Sequence, residues 1–198
     1  MAKLRGLTRG RRSSEIRAWA FKMRGGIWTA LFCAILFLAE VNLSALPAML
    51  VLVAAGQALR FWAAGCIKRY RGEEAKAEIL VTWGPYAVVR NPLYLGNGLI
   101  GLGWSLLAGP RAIALFVTSY LILYVFLIIP HEETILERCF REEFHRYKER
   151  VGRLIPKIPF ELSEIAGPFQ WSVLWESERH SLLVTILGTS LLLSRGWW

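Results

Sequence analysis

Residues 46–66 read LPAMLVLVAAGQALRFWAAGC, and this run decides what kind of protein the chain forms. Its length is close to the ~20 residues that an α-helix needs to cross ~30 Å of hydrocarbon. The composition agrees, because 55% of the 198 residues are hydrophobic and 9 are tryptophan. An ordinary soluble core does not require so much apolar material. The run therefore predicts a membrane-spanning helix.

A second apolar run, GGIWTALFCAILFLAE (25–40), lies just before it, and the connection between them contains no Lys or Arg. Residues 1–24 carry eight Lys or Arg residues, and KRYRGEEAKAE follows at 68–78. Basic residues are retained on the cytoplasmic side of membranes. The sequence thus predicts a transmembrane hairpin over 25–66, with a basic N-terminal arm (1–24) in the cytosol.

Two further apolar runs, 93–109 and 112–129, are separated by the pair Pro110-Arg111 and predict a second hairpin with both ends cytoplasmic. The first of these runs is rich in glycine. No strand precedes the glycines, so they favour close helix packing over a dinucleotide-binding loop. They are Gly96, Gly98, Gly101 and Gly103.

From residue 131 to about 152, apolar residues recur every three or four positions with charges between them, which predicts an amphipathic cytosolic helix. Pro130 is expected to kink or break the helix at the membrane junction. The later run 181–193 is apolar but short, which leaves open whether it spans.

The predicted fold class is therefore all-α: a polytopic membrane protein with two transmembrane hairpins, a cytosolic amphipathic helix and a C-terminal apolar segment. It forms one domain over 1–198, in which 78–156 holds the site and the second hairpin, and 157–198 is a C-terminal extension.

Several other classes of function fit the sequence poorly. The formal charge of +9 is concentrated in blocks between apolar runs, which favours a membrane protein over a nucleic-acid-binding one. Cys33, Cys66 and Cys139 are odd in number and far apart, so neither a disulfide framework nor a CxxC metal site is indicated. The histidines lack ligand spacing, and no metal is predicted.

The segment GPYAVVRNPLYLG (84–96) interrupts the apolar pattern at the predicted membrane edge. Gly84-Pro85 favours a turn, and Pro92 restricts Asn91 to extended backbone. Irregular backbone at that depth is tolerated where it lines a cavity. The segment therefore indicates the wall of a site between cytosol and lipid, with Arg90 presented on it.

Glu132 and Glu133 follow Pro130 directly. A helix N-terminus stabilises a nearby carboxylate by ~0.3–1 kcal/mol, which explains one of the two acids. If the hairpins pack together, both acids lie on the cytoplasmic edge with Arg90. A carboxylate there can meet Arg90 or a cationic ligand.

Read together, GPYAVVRNPLYLG, EETIL (132–136) and FREEFHRYKERVGRLIP (140–156) resemble the isoprenylcysteine carboxyl methyltransferase and phospholipid methyltransferase family. The family pattern is roughly GPYxxxRHPxYxG, then EExxL, FGxEYxxY and RxIP. The resemblance covers about 78–156. It implies a membrane-embedded methyltransferase with S-adenosylmethionine as cofactor, and a lipid or lipid-linked acceptor that enters from the bilayer.

The resemblance also implies roles for individual residues. Arg90, Glu133 and Arg153 are the catalytic candidates, and Arg90 or Arg153 would hold an acceptor carboxylate. Glu132 would stabilise the sulfonium of the cofactor. The implied cofactor contacts are Glu78, Ile79, Leu80, Val81, Tyr86, Asn91, Pro92, Leu93, Tyr94 and Glu132.

The chain departs from the family pattern in ways that bear on the acceptor. Asn91 replaces the histidine of RHP and cannot become cationic. Phe140-Arg141 replaces Phe-Gly, and Phe144 replaces the following Tyr. Residues 127–129 lack the arginine that prenylcysteine enzymes carry one turn before the acidic pair. A prenylcysteine carboxylate, a phospholipid amine and another small apolar acceptor remain as alternatives, as does a non-catalytic protein that retains the scaffold.

Overall fold

The computed structural model describes residues 15–67, 79–158 and 162–196, and helices account for most of these residues. The helices are α1 (Glu15–Lys22), α2 (Arg24–Leu38), α3 (Leu46–Cys66), α4 (Pro85–Val88), α5 (Pro92–Ala108), α6 (Pro110–Tyr120), α7 (Ile129–Arg150) and α8 (Trp171–Arg195). A π-helical segment, Leu121–Ile128, joins α6 to α7, and 3-10 turns occupy Leu43–Ala45 and Leu162–Ile165. Within the described ranges the only β-type pairing is an isolated bridge between Val89 and Gly152.

Two helical stretches are long and apolar enough to cross a bilayer, Leu43–Cys66 and the continuous Pro110–Arg150. Helices α1 and α2 meet at 67° and form a third candidate if they act as one broken span. The prediction of an all-α membrane protein is confirmed. The run 46–66 coincides with helix α3 at both ends.

Helices α3 and α5 pack at the centre of the fold through glycine. A Cβ on Gly96 would lie 2.8 Å from the carbonyl oxygen of Gly56 and 2.6 Å from Cγ of Arg60. A Cβ on Gly103 would lie 3.0 Å from the carbonyl oxygen of Met49. The glycines therefore allow close helix packing, as the sequence predicted, because small residues let membrane helices approach backbone to backbone.

The partner of helix α2 differs from the one predicted. Helix α3 packs mainly on α5 and α8, whereas α2 packs on α6, α5 and α8. Leu31 and Ile35 of α2 enter the same buried cluster as Trp104 and Phe116. The glycine-lined face of α3 packs closely on α5 instead.

Of the predicted kink or break at Pro130, the break is wrong. The helix continues from Pro110 through Pro130 as far as Phe140. The backbone N–H of Ile129 bonds to the carbonyl of Tyr124, five residues earlier. Such wide π turns leave room for a proline ring, which would clash in a regular α-helix. The backbone instead departs from helical geometry at Arg141, with φ +43° and ψ −110°.

Helix α8 runs antiparallel to α3 along its whole length. At one end the backbone N–H of Gln170 donates to the carbonyl of Gly65 at 2.8 Å. Midway, the hydroxyl of Thr185 donates to Gln57 at 2.9 Å. At the far end, a Cβ on Gly196 would lie 3.1 Å from Val41, before the start of α3. The apolar run 181–193 is therefore the second half of a 25-residue helix beside α3.

Arg141 generates the first testable prediction, because it occupies the position where the family pattern has glycine. A non-glycine residue at a positive φ of this kind stores about 1–3 kcal/mol of strain, and glycine adopts it readily. We expect Arg141→Gly to raise the thermal unfolding midpoint in detergent, followed by circular dichroism. Arg138→Gly, one turn earlier in regular helix, should lower stability by about 1 kcal/mol. Equal losses in both variants would contradict the assignment of strain to Arg141.

Candidate functional site

The segment around Arg90 is held against the residues that follow helix α7. The backbone N–H of Arg90 donates to the carbonyl of Gly152 at 2.8 Å, and that of Asn91 donates to the carbonyl of Arg153 at 3.2 Å. Pro92 keeps the preceding residue out of helical conformation. Val151 is extended because α7 has ended one residue earlier. Two short extended pieces, far apart along the chain, therefore pair and bring Arg90 beside Arg153.

Glu133 accepts hydrogen bonds from both arginines. Nε and Nη2 of Arg90 lie 3.1 and 2.8 Å from its Oε1, and Nη2 of Arg153 lies 2.5 Å from its Oε2. The side chains of Arg90 and Glu133 are 9% and 8% exposed, whereas that of Arg153 is 39% exposed. The three predicted catalytic residues thus form one charged cluster, with Arg153 at its accessible end.

Arg90 also binds the C-terminus of helix α7. Its Nη1 donates to the carbonyls of Lys148, at 3.3 Å, and Val151. The last carbonyls of a helix lack partners within the helix, and a cation there is favourable. The guanidinium of Arg90 therefore joins the beginning of α7, through Glu133, to its end.

The second predicted pair, Tyr94 and Glu132, lies beside this cluster. The hydroxyl of Tyr94 donates to Oε1 of Glu132 at 2.6 Å. The ring of Tyr94 packs on that of Tyr124, with 4.7 Å between centroids, and Tyr124 in turn packs on Tyr120 at 5.1 Å. A carboxylate and three aromatic rings are thereby gathered where α5 meets the start of α7.

Other predicted cofactor residues lie around the site without forming one surface. Leu80 is buried against Phe144, Tyr147 and Val151, whereas Ile79 is exposed. Val81 and Leu93 are partly buried, and Pro92 is fully buried at the start of α5. Glu78 lies outside the described residues.

Tyr86 and Asn91, two further predicted cofactor contacts, form hydrogen bonds with neighbouring residues. The carbonyl of Tyr86 accepts a hydrogen bond from the hydroxyl of Tyr147 at 2.7 Å. The side-chain amide of Asn91 donates to the carbonyl of Arg153 at 3.2 Å. Asn91 therefore supports the pairing of the two extended segments.

Sequence reasoning missed a second charged cluster. Arg60 of α3 pairs with Glu178 of α8 and donates to Asn97 of α5. The available signal was Arg60 itself, a charge inside an apolar run. Its partner lies 118 residues away, at a separation that no local spacing reveals.

Fold and site together define a helical membrane protein with a charged, aromatic-lined site where its apolar helices end. The model of the phospholipid methyltransferase family matches residues 43–143, about half of the chain. The chain belongs to this family.

Individual relatives are similar over smaller regions. The chain is 34% identical over 84 residues to a protein-S-isoprenylcysteine O-methyltransferase of Schizosaccharomyces pombe, covering 42% of this chain and 36% of that protein. It is 32% identical over 107 residues to the nickel-cobalt-cadmium resistance protein NccN of Alcaligenes xylosoxydans xylosoxydans, covering 53% of this chain and 46% of that protein. The matches thus span less than half of either relative's length. No solved structure matches the chain significantly.

The cluster around Glu133 generates the second prediction. Glu133→Gln would leave the buried guanidinium of Arg90 without a counter-charge, and removing one partner of a buried ion pair costs about 3–5 kcal/mol. We expect a large fall in the thermal unfolding midpoint. The matched control is Glu137→Gln, on the same helix in an exposed pair with Lys148, where such a pair contributes about 0–1 kcal/mol. A Glu133 variant as stable as this control would contradict the role assigned to the cluster.

Proposed function

We propose that this chain is a membrane-embedded methyltransferase that uses S-adenosylmethionine to methylate a lipid or lipid-linked acceptor. The observation that supports it best is the meeting of two family segments: Arg90 with Glu133, and Tyr94 with Glu132. Both contacts lie in the region that matches the family model. Similarity to an isoprenylcysteine O-methyltransferase agrees with it.

The residues around Glu132 suit a cationic cofactor. S-adenosylmethionine, when bound, supplies a methyl group on a positively charged sulfur. A carboxylate favours such a cation, and aromatic faces attract it by about 0.5–2 kcal/mol. Glu132 provides the carboxylate, Tyr94 orients it through its hydroxyl, and Tyr124 supports the ring of Tyr94. Tyr86, which is partly buried, is a further proposed cofactor contact.

Arg90 and Glu133 act in this proposal by holding the site together. The guanidinium of Arg90 donates hydrogen bonds to Glu133 and to carbonyls at the end of α7. Arg90 and Glu133 thereby help to align the acceptor with the methyl donor. Orientation of reacting groups can lower an activation barrier by ~7–11 kcal/mol. Methyl transfer by in-line displacement needs alignment and a dry site rather than a nucleophilic side chain.

Arg153 is the group best placed to contact the acceptor. It binds Glu133 through Nε and Nη2, and within the described ranges its Nη1 has no hydrogen-bond partner. Its side chain is 39% exposed. A guanidinium with one accessible edge suits an anionic group such as a carboxylate. This arrangement favours a carboxylate acceptor, whereas the family's description favours a phospholipid.

The proposed orientation places the N-terminus and the site in the cytosol. Basic residues before α2 and in 68–78, together with Arg90 and Arg153, all belong to one side under the positive-inside rule. The cofactor would then enter from the cytosol and the acceptor from the inner leaflet.

The third prediction tests cofactor binding. The purified full chain in detergent should bind S-adenosylmethionine or S-adenosylhomocysteine, measured by titration calorimetry. Glu132→Gln and Tyr94→Phe should weaken binding about tenfold, a loss of about 1.4 kcal/mol. Glu137→Gln, an exposed acid on the same helix, should bind normally. Absence of binding at millimolar ligand would overturn the proposed function.

The fourth prediction identifies the acceptor class. Labelled donor is supplied with vesicles that contain either a farnesylated cysteine with a free carboxylate or phosphatidylethanolamine. If the acceptor is a carboxylate, Arg153→Gln should lower transfer to the prenylcysteine at least tenfold. Arg150→Gln, which removes an exposed pair with Glu164, is the matched control. Methylation of phosphatidylethanolamine, unaffected by Arg153→Gln, would assign amine transfer instead. Binding without transfer to either lipid or to a total lipid extract would indicate a non-catalytic scaffold.

A further inference from the structure

A second buried ion pair lies away from the cluster around Glu133. Nε and Nη2 of Arg60 are 2.9 and 3.0 Å from the carboxylate of Glu178. The two side chains are 11% and 0% exposed. Arg60 lies in α3, a helix that is apolar enough to span the membrane. Glu178 lies in α8, outside the residues matched by the family model.

Packing alone does not explain this pair. Taking two charges out of water costs about as much as their attraction returns, so apolar residues of similar size often stabilise equally well. Charged residues inside membrane helices commonly serve function. The arginine therefore needs an explanation in what it touches besides Glu178.

Arg60 also determines how Asn97 is oriented. Its Nη1 donates to Oδ1 of Asn97 at 2.5 Å, so the amide nitrogen of Asn97 must face the other way. That nitrogen donates to the hydroxyl of Tyr124 at 3.0 Å. Trp28 donates to the same hydroxyl. Two hydrogen bonds therefore fix the hydroxyl of Tyr124. One comes from Asn97, which Arg60 of α3 orients, and the other comes from Trp28 of α2.

Tyr124 carries this constraint to the proposed cofactor residues. Its ring packs on that of Tyr94 at 4.7 Å between centroids, and the hydroxyl of Tyr94 donates to Glu132. Tyr120 fixes Tyr94 from another side by donating to its backbone carbonyl at 3.0 Å. A continuous series of contacts therefore joins Glu178 to Glu132.

We infer that Arg60 and Glu178 are positioning residues for the cofactor site. Helix α8 packs beside α3 and, through Glu178, holds Arg60 in the orientation that aligns Asn97, Tyr124 and Tyr94. The inference rests on the proposed function, since Tyr94 and Glu132 are the residues that it positions. It adds a requirement for the C-terminal helix, which lies beyond the family match.

The test replaces both charges at once, as Arg60→Met with Glu178→Met. This double variant removes the ion pair without leaving an uncompensated charge, so its thermal unfolding midpoint should stay within a few degrees of the unmodified chain. Its affinity for S-adenosylhomocysteine should fall about five- to tenfold. Arg111→Met with Glu40→Met, which removes an exposed ion pair between helix ends, is the matched control and should keep full affinity.

A double-mutant cycle separates positioning from a general structural effect. In a Tyr94→Phe background, which already lacks the hydrogen bond to Glu132, the methionine pair should cause little further loss. Asn97→Leu keeps the ion pair but breaks the link to Tyr124. It should lower the affinity for S-adenosylhomocysteine in the unmodified background and cause little further loss in the Tyr94→Phe background. If the methionine pair does not fold, Asn97→Leu alone decides.

Three results would overturn the inference in distinguishable ways. Full affinity in the methionine pair and in Asn97→Leu would remove the positioning role while leaving the proposed function intact. The same loss of affinity with and without Tyr94→Phe would show that the effect does not pass through Tyr94. No binding by the unmodified chain would end the proposed function and this inference together.

Discussion

The carboxylate of Glu133, shared by two arginines, is the interaction on which the site depends. One arginine precedes helix α5 and the other follows helix α7, so a single acid ties together segments that bracket a whole hairpin. The ion pair between Arg90 and Glu133 is buried. A buried guanidinium is costly without a charged partner, so Arg90 requires Glu133. The neighbouring acid, Glu132, is thereby held at a fixed place beside Tyr94.

Local patterns predicted what depends on neighbours in sequence. The run 46–66 gave the bounds of α3 because a spanning helix must satisfy its own backbone in lipid. The meeting of Arg90 with Glu133 followed from placing both on one side of the membrane. The sequence could not predict which groups Arg90 binds besides Glu133. Its contact with the carbonyl of Val151 depends on where the end of α7 lies in space.

Other features depend on partners that no local rule identifies. Pro130 ordinarily disrupts a helix, yet the wide turns before it accommodate the ring. Helix α3 packs mainly on α5, where Gly56 and Gly96 approach closely, rather than on its neighbour in sequence, α2. Glu178 becomes the partner of Arg60 only when a helix 118 residues away packs alongside. The last two depend on contacts between helices that are distant in the sequence.

The uninterrupted helix from Pro110 through Pro130 also sets a mechanical relation between bilayer and site. From Pro110 to Phe140 it extends about 45 Å, well beyond ~30 Å of hydrocarbon. Glu132 and Glu133 lie near one end of this stretch. A thinner or thicker bilayer changes the tilt of a spanning helix, and such a tilt displaces the end of the helix sideways. We therefore expect the position of these two acids to respond to acyl-chain length.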